Sequence, residues 1–137
     1  MREILFRGKI TQDEWVYGFY ENVKLEEATI HYVNGKIVSS KTVGQFTGLT
    51  DKNGKKIFEG DIIRLTPPKE SGEINIPTPR NPQEDRILKV IFFDGMFAVD
   101  MSKWFKYGHG KVALQTYETN RIEVIGNVFD NNLEDFR

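Results

Sequence analysis

Glu59 and Asp61 flank Gly60. Two carboxylates spaced in this way share one face of an extended chain, which suits a general acid–base pair or a cation site. In a turn the same residues cap backbone N–H groups, the routine use of Asp beside Gly, and that reading is preferred. His31 and His109 are the only histidines, and they fall in different hairpins. Neither has a histidine one helical turn away or the His-Glu pattern of a zinc enzyme. Asp51-Lys52-Asn53-Gly54 superficially resembles a calcium loop. It lacks the alternating ligands and the closing Glu, and its lysines carry the wrong charge for a cation. Ser39, Ser40, Ser71 and Ser102 are the serines, and none sits in a Gly-x-Ser-x-Gly elbow. The absence of cysteine removes disulfides, zinc thiolates and thiol nucleophiles together. Gly44 and Gly48 are spaced like part of a phosphate loop, but no helix follows them to supply the N-terminal amides. No catalytic residue, metal ligand or cofactor site is therefore expected, and the chain reads as a non-enzyme.

One segment stands apart. Lys103, Lys106 and Lys111 are interleaved with Trp104, Phe105 and Tyr107. Aromatics exposed on a small barrel can stack bases while nearby lysines meet phosphates, so single-stranded nucleic-acid binding is one reading. The plainer one puts the aromatics in the core with lysine stems lying over them. Trp and Tyr are also enriched at protein interfaces. The segment is thus a candidate interaction surface, together with Ile74 and Ile76. Those two are the only aliphatic residues in a stretch that holds all five prolines, from Pro67 to Pro82. Charge does not favour nucleic acid. Nineteen basic and 20 acidic residues give a net charge of −1, which removes any bulk attraction to phosphate backbones or anionic lipid.

The elements that must position these residues are short and β-like. Length is 137 residues, with 39% hydrophobic and 12% aromatic side chains, enough for the core of one domain or of two small ones. No apolar run approaches the ~20 residues that span a bilayer, so no membrane association is expected. The opening Met1–Arg7 is too short and too charged to read as a signal peptide.

Ile4–Ile10 and Trp15–Tyr20 read as a first hairpin, rich in β-branched and aromatic residues. Glu21–Ala28 reads as a loop or a short helical turn. Asn34-Gly35 and Asp94-Gly95 supply the positive φ of type I′ turns, which predicts hairpins 28–40 and 86–100. Thr42 to Leu65 is dense in glycine, as where a sheet bends, and closes on a strand at Ile62–Leu65. Residues 66–85 form a proline-rich loop of a length that is commonly functional. Strands follow at Lys111–Tyr117 and Ile122–Phe129, and Leu133 and Phe136 belong to a terminal turn that packs back.

About nine strands and no long helix predict an all-β, β-dominated fold. Residues 1–41 are read as an N-terminal hairpin unit packed on residues 42–137, a strongly curled sheet or small partial barrel. A unit of about forty residues can hardly bury a core alone. It is expected to pack on the second unit or on a neighbouring subunit, so a homo-oligomer is predicted.

Several ordered motifs resemble the YopX-like family of phage and prophage proteins. They are Thr42-Val43-Gly44-Gln45-Phe46-Thr47-Gly48-Leu49, then Asp51-Lys52-Asn53-Gly54-Lys55-Lys56-Ile57-Phe58-Glu59-Gly60-Asp61-Ile62-Ile63. The closing Glu123-Val124-Ile125-Gly126-Asn127-Val128-Phe129-Asp130-Asn131 and the opening Arg7-Gly8-Lys9 with Trp15-Val16-Tyr17-Gly18 match as well. The resemblance implies a mostly β, phage-encoded protein of the bacterial cytoplasm, with no known catalytic residue or cofactor. Its shared residues are turn chemistry, which holds a fold rather than breaks a bond. The function expected is a non-catalytic interaction or assembly module with a host or phage protein as partner. Single-stranded nucleic-acid binding is the alternative.

Overall fold

The computed structural model describes residues 3–67, 85–104 and 108–137. Ile74, Ile76, Phe105, Lys106 and Tyr107 lie outside the described residues, as does most of the proline-rich stretch. The described chain forms two compact units, Met1–Gly48 and Leu49–Arg137.

The first unit holds β1 (Phe6–Thr11), β2 (Glu14–Gly18), β3 (Tyr20–Lys24), β4 (Thr29–Val33), β5 (Lys36–Val38) and the start of β6 (Gly44–Thr50). β1 lies between β2 and β6, antiparallel to both. β3, β4 and β5 form a separate antiparallel sheet. Asn34 and Gly35 take φ of 52° and 74° and close the β4–β5 hairpin, as the Asn-Gly pair predicts. β5 lies tight against β1. A Cβ on Gly8 would sit 2.9 Å from Val38 Cβ, so only glycine fits there.

The predicted helical turn or loop over Glu21–Ala28 is corrected. β2 ends at Gly18, Phe19 interrupts the strand, and β3 runs from Tyr20 through Lys24, paired residue for residue with β4. Only Leu25–Ala28 is a turn, closed by the Leu25 N–H donating to the Ala28 carbonyl at 2.7 Å. Ladder hydrogen bonds to β4 override the polar composition, because an edge strand can carry charged side chains.

The second unit holds β7 (Lys56–Phe58), β8 (Asp61–Leu65), β9 (Arg86–Phe93), β10 (Met96–Asp100), β11 (Lys111–Ala113) and β12 (Ile122–Asn127). Five of them form one antiparallel sheet in the order β11-β10-β9-β8-β12. It curls strongly into a half-barrel, so the fold is β-dominated with a curled sheet as expected.

Alternation places Ile63 and Leu65 of β8, Leu88 and Val90 of β9, Val99 of β10 and Ile122 of β12 on one face. They pack with Ile57, Met101, Leu114 and Tyr117 in a single buried cluster. Each such aliphatic side chain withdrawn from water contributes about 1.5–3 kcal/mol before entropy is counted. The strand predicted over Lys111–Tyr117 is shorter than expected. β11 ends at Ala113, and a 3-10 turn over Leu114–Thr116 drops Leu114 and Tyr117 into the core.

Candidate functional site

Asp61 is almost wholly buried, and its Oδ2 accepts the Phe58 N–H at 2.7 Å. This is the capping role preferred from sequence, with Gly60 at a φ of 92° making the corner. Asp51 does more than its sequence neighbourhood suggests. Its Oδ1 accepts from the Asn53 and Lys55 amides at 2.9 Å each. Its Oδ2 accepts from Val124, 73 residues away in sequence, also at 2.9 Å. Burial alone would raise its pKa, but the backbone bonds from Val124, Lys55 and Asn53 and the Lys55 charge outweigh that and hold it below the usual carboxylate value. The head of the Asp51–Lys55 turn is thereby fastened to β12 at the bulge between Val124 and Gly126. Asp at the head of an Asx-turn was legible in sequence. Its bond to Val124 was not.

The histidines are engaged locally. In the first unit His31 Nδ1 lies 2.5 Å from the Tyr20 hydroxyl, and the Tyr20 ring packs on Phe6 at 5.4 Å. In the second unit His109 Nδ1 accepts the Lys111 N–H at 2.9 Å, and its ring lies 4.9 Å from Phe93. Among the described residues no group of His, Cys, Asp or Glu is arranged to hold a metal. Nor is any helix there long and apolar enough to cross a membrane.

Of the predicted interaction segment, Lys103 is exposed, and with Trp104 it belongs to a 3-10 turn over Ser102–Trp104. Lys111 is half-buried. Its ammonium is 3.6 Å from Asp100 Oδ1 and 5.9 Å from the centre of the Phe93 ring. Burial tends to raise the Asp100 pKa. Hydrogen bonds from Ser102 and the Lys111 and Lys89 charges prevail and lower it. Lys111 is therefore committed to a carboxylate, which weakens it as a phosphate contact.

A different surface was missed. In the β3–β5 sheet the register aligns Glu21 with Tyr32 and Ile37, and Val23 with Ile30. Val33 and Val38 point to the opposite face and are buried. Ile37 is 60% exposed and Val23 46%, with Ile30 and Tyr32 half-buried between them. Phe19 and Leu25, at the two ends of β3, are 83% and 56% exposed. One sheet face thus shows water Val23, Ile30, Tyr32 and Ile37 beside the exposed Glu21, along an open edge strand. The alternation in Val23, Ile30, Tyr32 and Ile37 was a signal for it. Which face would be covered was not.

The closing motif is a built turn. Asn127 Oδ1 accepts the amides of Phe129 and Asp130 at 3.0 Å, and Asn131 Oδ1 accepts the Asn127 amide at 3.2 Å. A Cβ at Gly126 would lie 2.5 Å from Asn131 Oδ1, which explains glycine in this motif.

A family model described as YopX protein matches residues 4–134. Among solved structures, protein yopX from Bacillus subtilis is similar at 19% identity and a TM-score of 0.52, with 96% of each chain covered. A protein from Enterococcus faecalis is similar at 19% identity and a TM-score of 0.51, again over 96% of each chain. At that identity the likeness shows a shared fold. No curated protein matches the chain.

Proposed function

The chain belongs to the YopX protein family, and from that premise we propose that it works as a non-catalytic protein-interaction and assembly module that associates with a second copy of itself. The observation that carries this is the uncovered apolar face of the β3–β5 sheet. Proteins in water seldom leave several aliphatic and aromatic side chains together on one exposed sheet face without a use for them. Among the described residues of the first unit the large apolar residues that are buried are Val33, Val38 and Phe46, while Phe19, Val23, Leu25 and Ile37 stay exposed. A unit of this size gains the burial it lacks by association. A two-fold apposition supplies it, because the same patch on each copy meets itself. The outer edge of β3 offers the ladder groups that would extend the contact. In this reading the protein acts inside a bacterial cell as a phage-derived component.

Nucleic-acid binding has less support, since Lys111 is bound to Asp100 and the net charge is −1. The test is a double substitution, Val23→Lys with Ile37→Lys, followed by sedimentation velocity. Both sites are exposed, so the fold should persist by circular dichroism while association is lost. A double variant that associates as the parent does would remove this face from the account.

A further inference from the structure

β3 is an open edge of its three-stranded sheet, and every residue from Glu21 to Lys24 is exposed. Its hydrogen bonds to β4 fall on alternate residues, as in any antiparallel pair. The Phe19 carbonyl accepts the Asn34 N–H at 2.9 Å, and the Leu25 N–H donates to the Ala28 carbonyl at 2.7 Å. Both bonds continue the β3–β4 register past the two ends of the strand. Phe19, Glu21, Val23 and Leu25 therefore turn their backbone groups inward to β4. Tyr20, Asn22 and Lys24 turn theirs outward, to water.

This edge is symmetric about Asn22. The outward backbone groups lie at Asn22 and two residues to either side of it. Phe19 and Leu25, 83% and 56% exposed, lie three residues to either side. Alternation places Phe19, Glu21, Val23 and Leu25 on the apolar face, and Tyr20, Asn22 and Lys24 on the other. Charged side chains on an edge strand deter most strands from pairing with it. A second β3, reversed about a two-fold axis at Asn22, fits these charges. It sets Asn22 opposite Asn22, Tyr20 opposite Lys24, Glu21 opposite Val23 and Phe19 opposite Leu25. Every outward group is then paired, no like charges face each other, and Lys24 comes beside an aromatic residue. An axis one residue earlier sets Glu21 against Glu21, which is repulsive. An axis one residue later sets Tyr20 opposite Glu26, in the turn after β3, and the ladder loses both its ends.

We propose that two copies join edge to edge through β3, antiparallel about a two-fold axis at Asn22, so that their three-stranded sheets become one. Each of the pairs Tyr20–Lys24, Asn22–Asn22 and Lys24–Tyr20 exchanges two backbone hydrogen bonds. Phe19, Val23 and Leu25 of both copies lie along the seam. This rests on the self-association read above and narrows it to the β3 margin of that face.

The test is cysteine cross-linking, in a chain that has no cysteine of its own. Across a hydrogen-bonded antiparallel pair the Cα atoms are about 5.5 Å apart, inside the span of about 4.4–6.8 Å that a disulfide bridges. In the same dimer the two Lys24 positions are about 13 Å apart along the strands, and the two Ile37 positions about 24 Å apart across the sheet. Asn22→Cys should oxidise to a linked dimer roughly tenfold or more faster than Lys24→Cys or Ile37→Cys. In the unmodified ¹⁵N-labelled chain, hydrogen exchange at the Tyr20, Asn22 and Lys24 amides should slow roughly tenfold or more at concentrations where light scattering gives the mass of two chains. Faster linking of Ile37→Cys than of Asn22→Cys would overturn the edge pairing while self-association through the face stood. So would outward amides that exchange as fast in the dimer as in the single chain. A mass of one chain at every concentration would overturn both. The exchange measurement uses the native chain and holds even if a cysteine variant does not fold.

Discussion

Replacing Asp51 by Ala removes the acceptor of three backbone N–H groups at once. Asn53 and Lys55 are exposed, so water can replace the carboxylate at their amides, at a cost of about 0.5–1 kcal/mol each. The Val124 amide sits in a half-buried strand at a bulge, and losing a charged acceptor there costs about 2–3 kcal/mol. The sum is about 3–5 kcal/mol, a large part of the ~5–15 kcal/mol typical of a domain. For a unit of this size that lowers Tm by more than about 10 °C.

Asp51→Asn separates geometry from charge. Its Oδ1 can still serve Asn53 and Lys55, while its amide group faces the Val124 N–H donor to donor, so a loss of about 2–3 kcal/mol is expected. Acid gives the second readout. Because the folded pKa lies below the unfolded value of about 3.9, the contribution of Asp51 is complete above that pH. It is lost as pH falls through the unfolded and then the folded pKa. Urea unfolding followed by far-ultraviolet circular dichroism at pH 7 and at steps below pH 5 measures both. The parent should lose stability through that acid window more steeply than Asp51→Asn. An Asp51→Ala stability within about 0.5 kcal/mol of the parent, or an identical acid dependence in Asp51→Asn, would refute the assignment of this carboxylate as the tie between turn and β12.

Gly126→Ala should destabilise by about 1–3 kcal/mol, read by the same unfolding curves, because its methyl group would displace the Asn131 side chain from 2.5 Å. Tyr20→Phe keeps the ring against Phe6 and loses the 2.5 Å contact with His31, so a modest loss of about 0.5–1.5 kcal/mol is expected from thermal melting. A fluorescent oligothymidylate should show no saturable anisotropy change at low salt. Saturable binding with a steep salt slope that shrinks in Lys106→Ala would instead favour the nucleic-acid reading.

Local chemistry was readable from the residues, and long-range partnership was not. Asn34-Gly35 and Asp94-Gly95 fixed their hairpins because their positive φ is a property of the residues themselves. β9 and β10 lie where β-branched and aromatic runs put them. β3 was hidden because Glu21, Asn22 and Lys24 look like a loop until β4 is there to pair with them. Leu114–Thr116 looked like the rest of a strand, yet its 3-10 turn is set by where Leu114 and Tyr117 find the core. The family's closing motif was visible as a motif, but that its asparagines form one wall of a cleft opposite Lys89 needed the fold. Of the predicted interaction residues the structure describes Lys103, Trp104 and Lys111, and it shows a second surface at Val23, Ile30, Tyr32 and Ile37.

The central claim is self-association through the β3–β5 face. Multi-angle light scattering of the unmodified chain across a concentration series tests it most directly. The account predicts a mass of twice 15.9 kDa that falls toward the single-chain value on dilution. A mass of one chain at every concentration would contradict it.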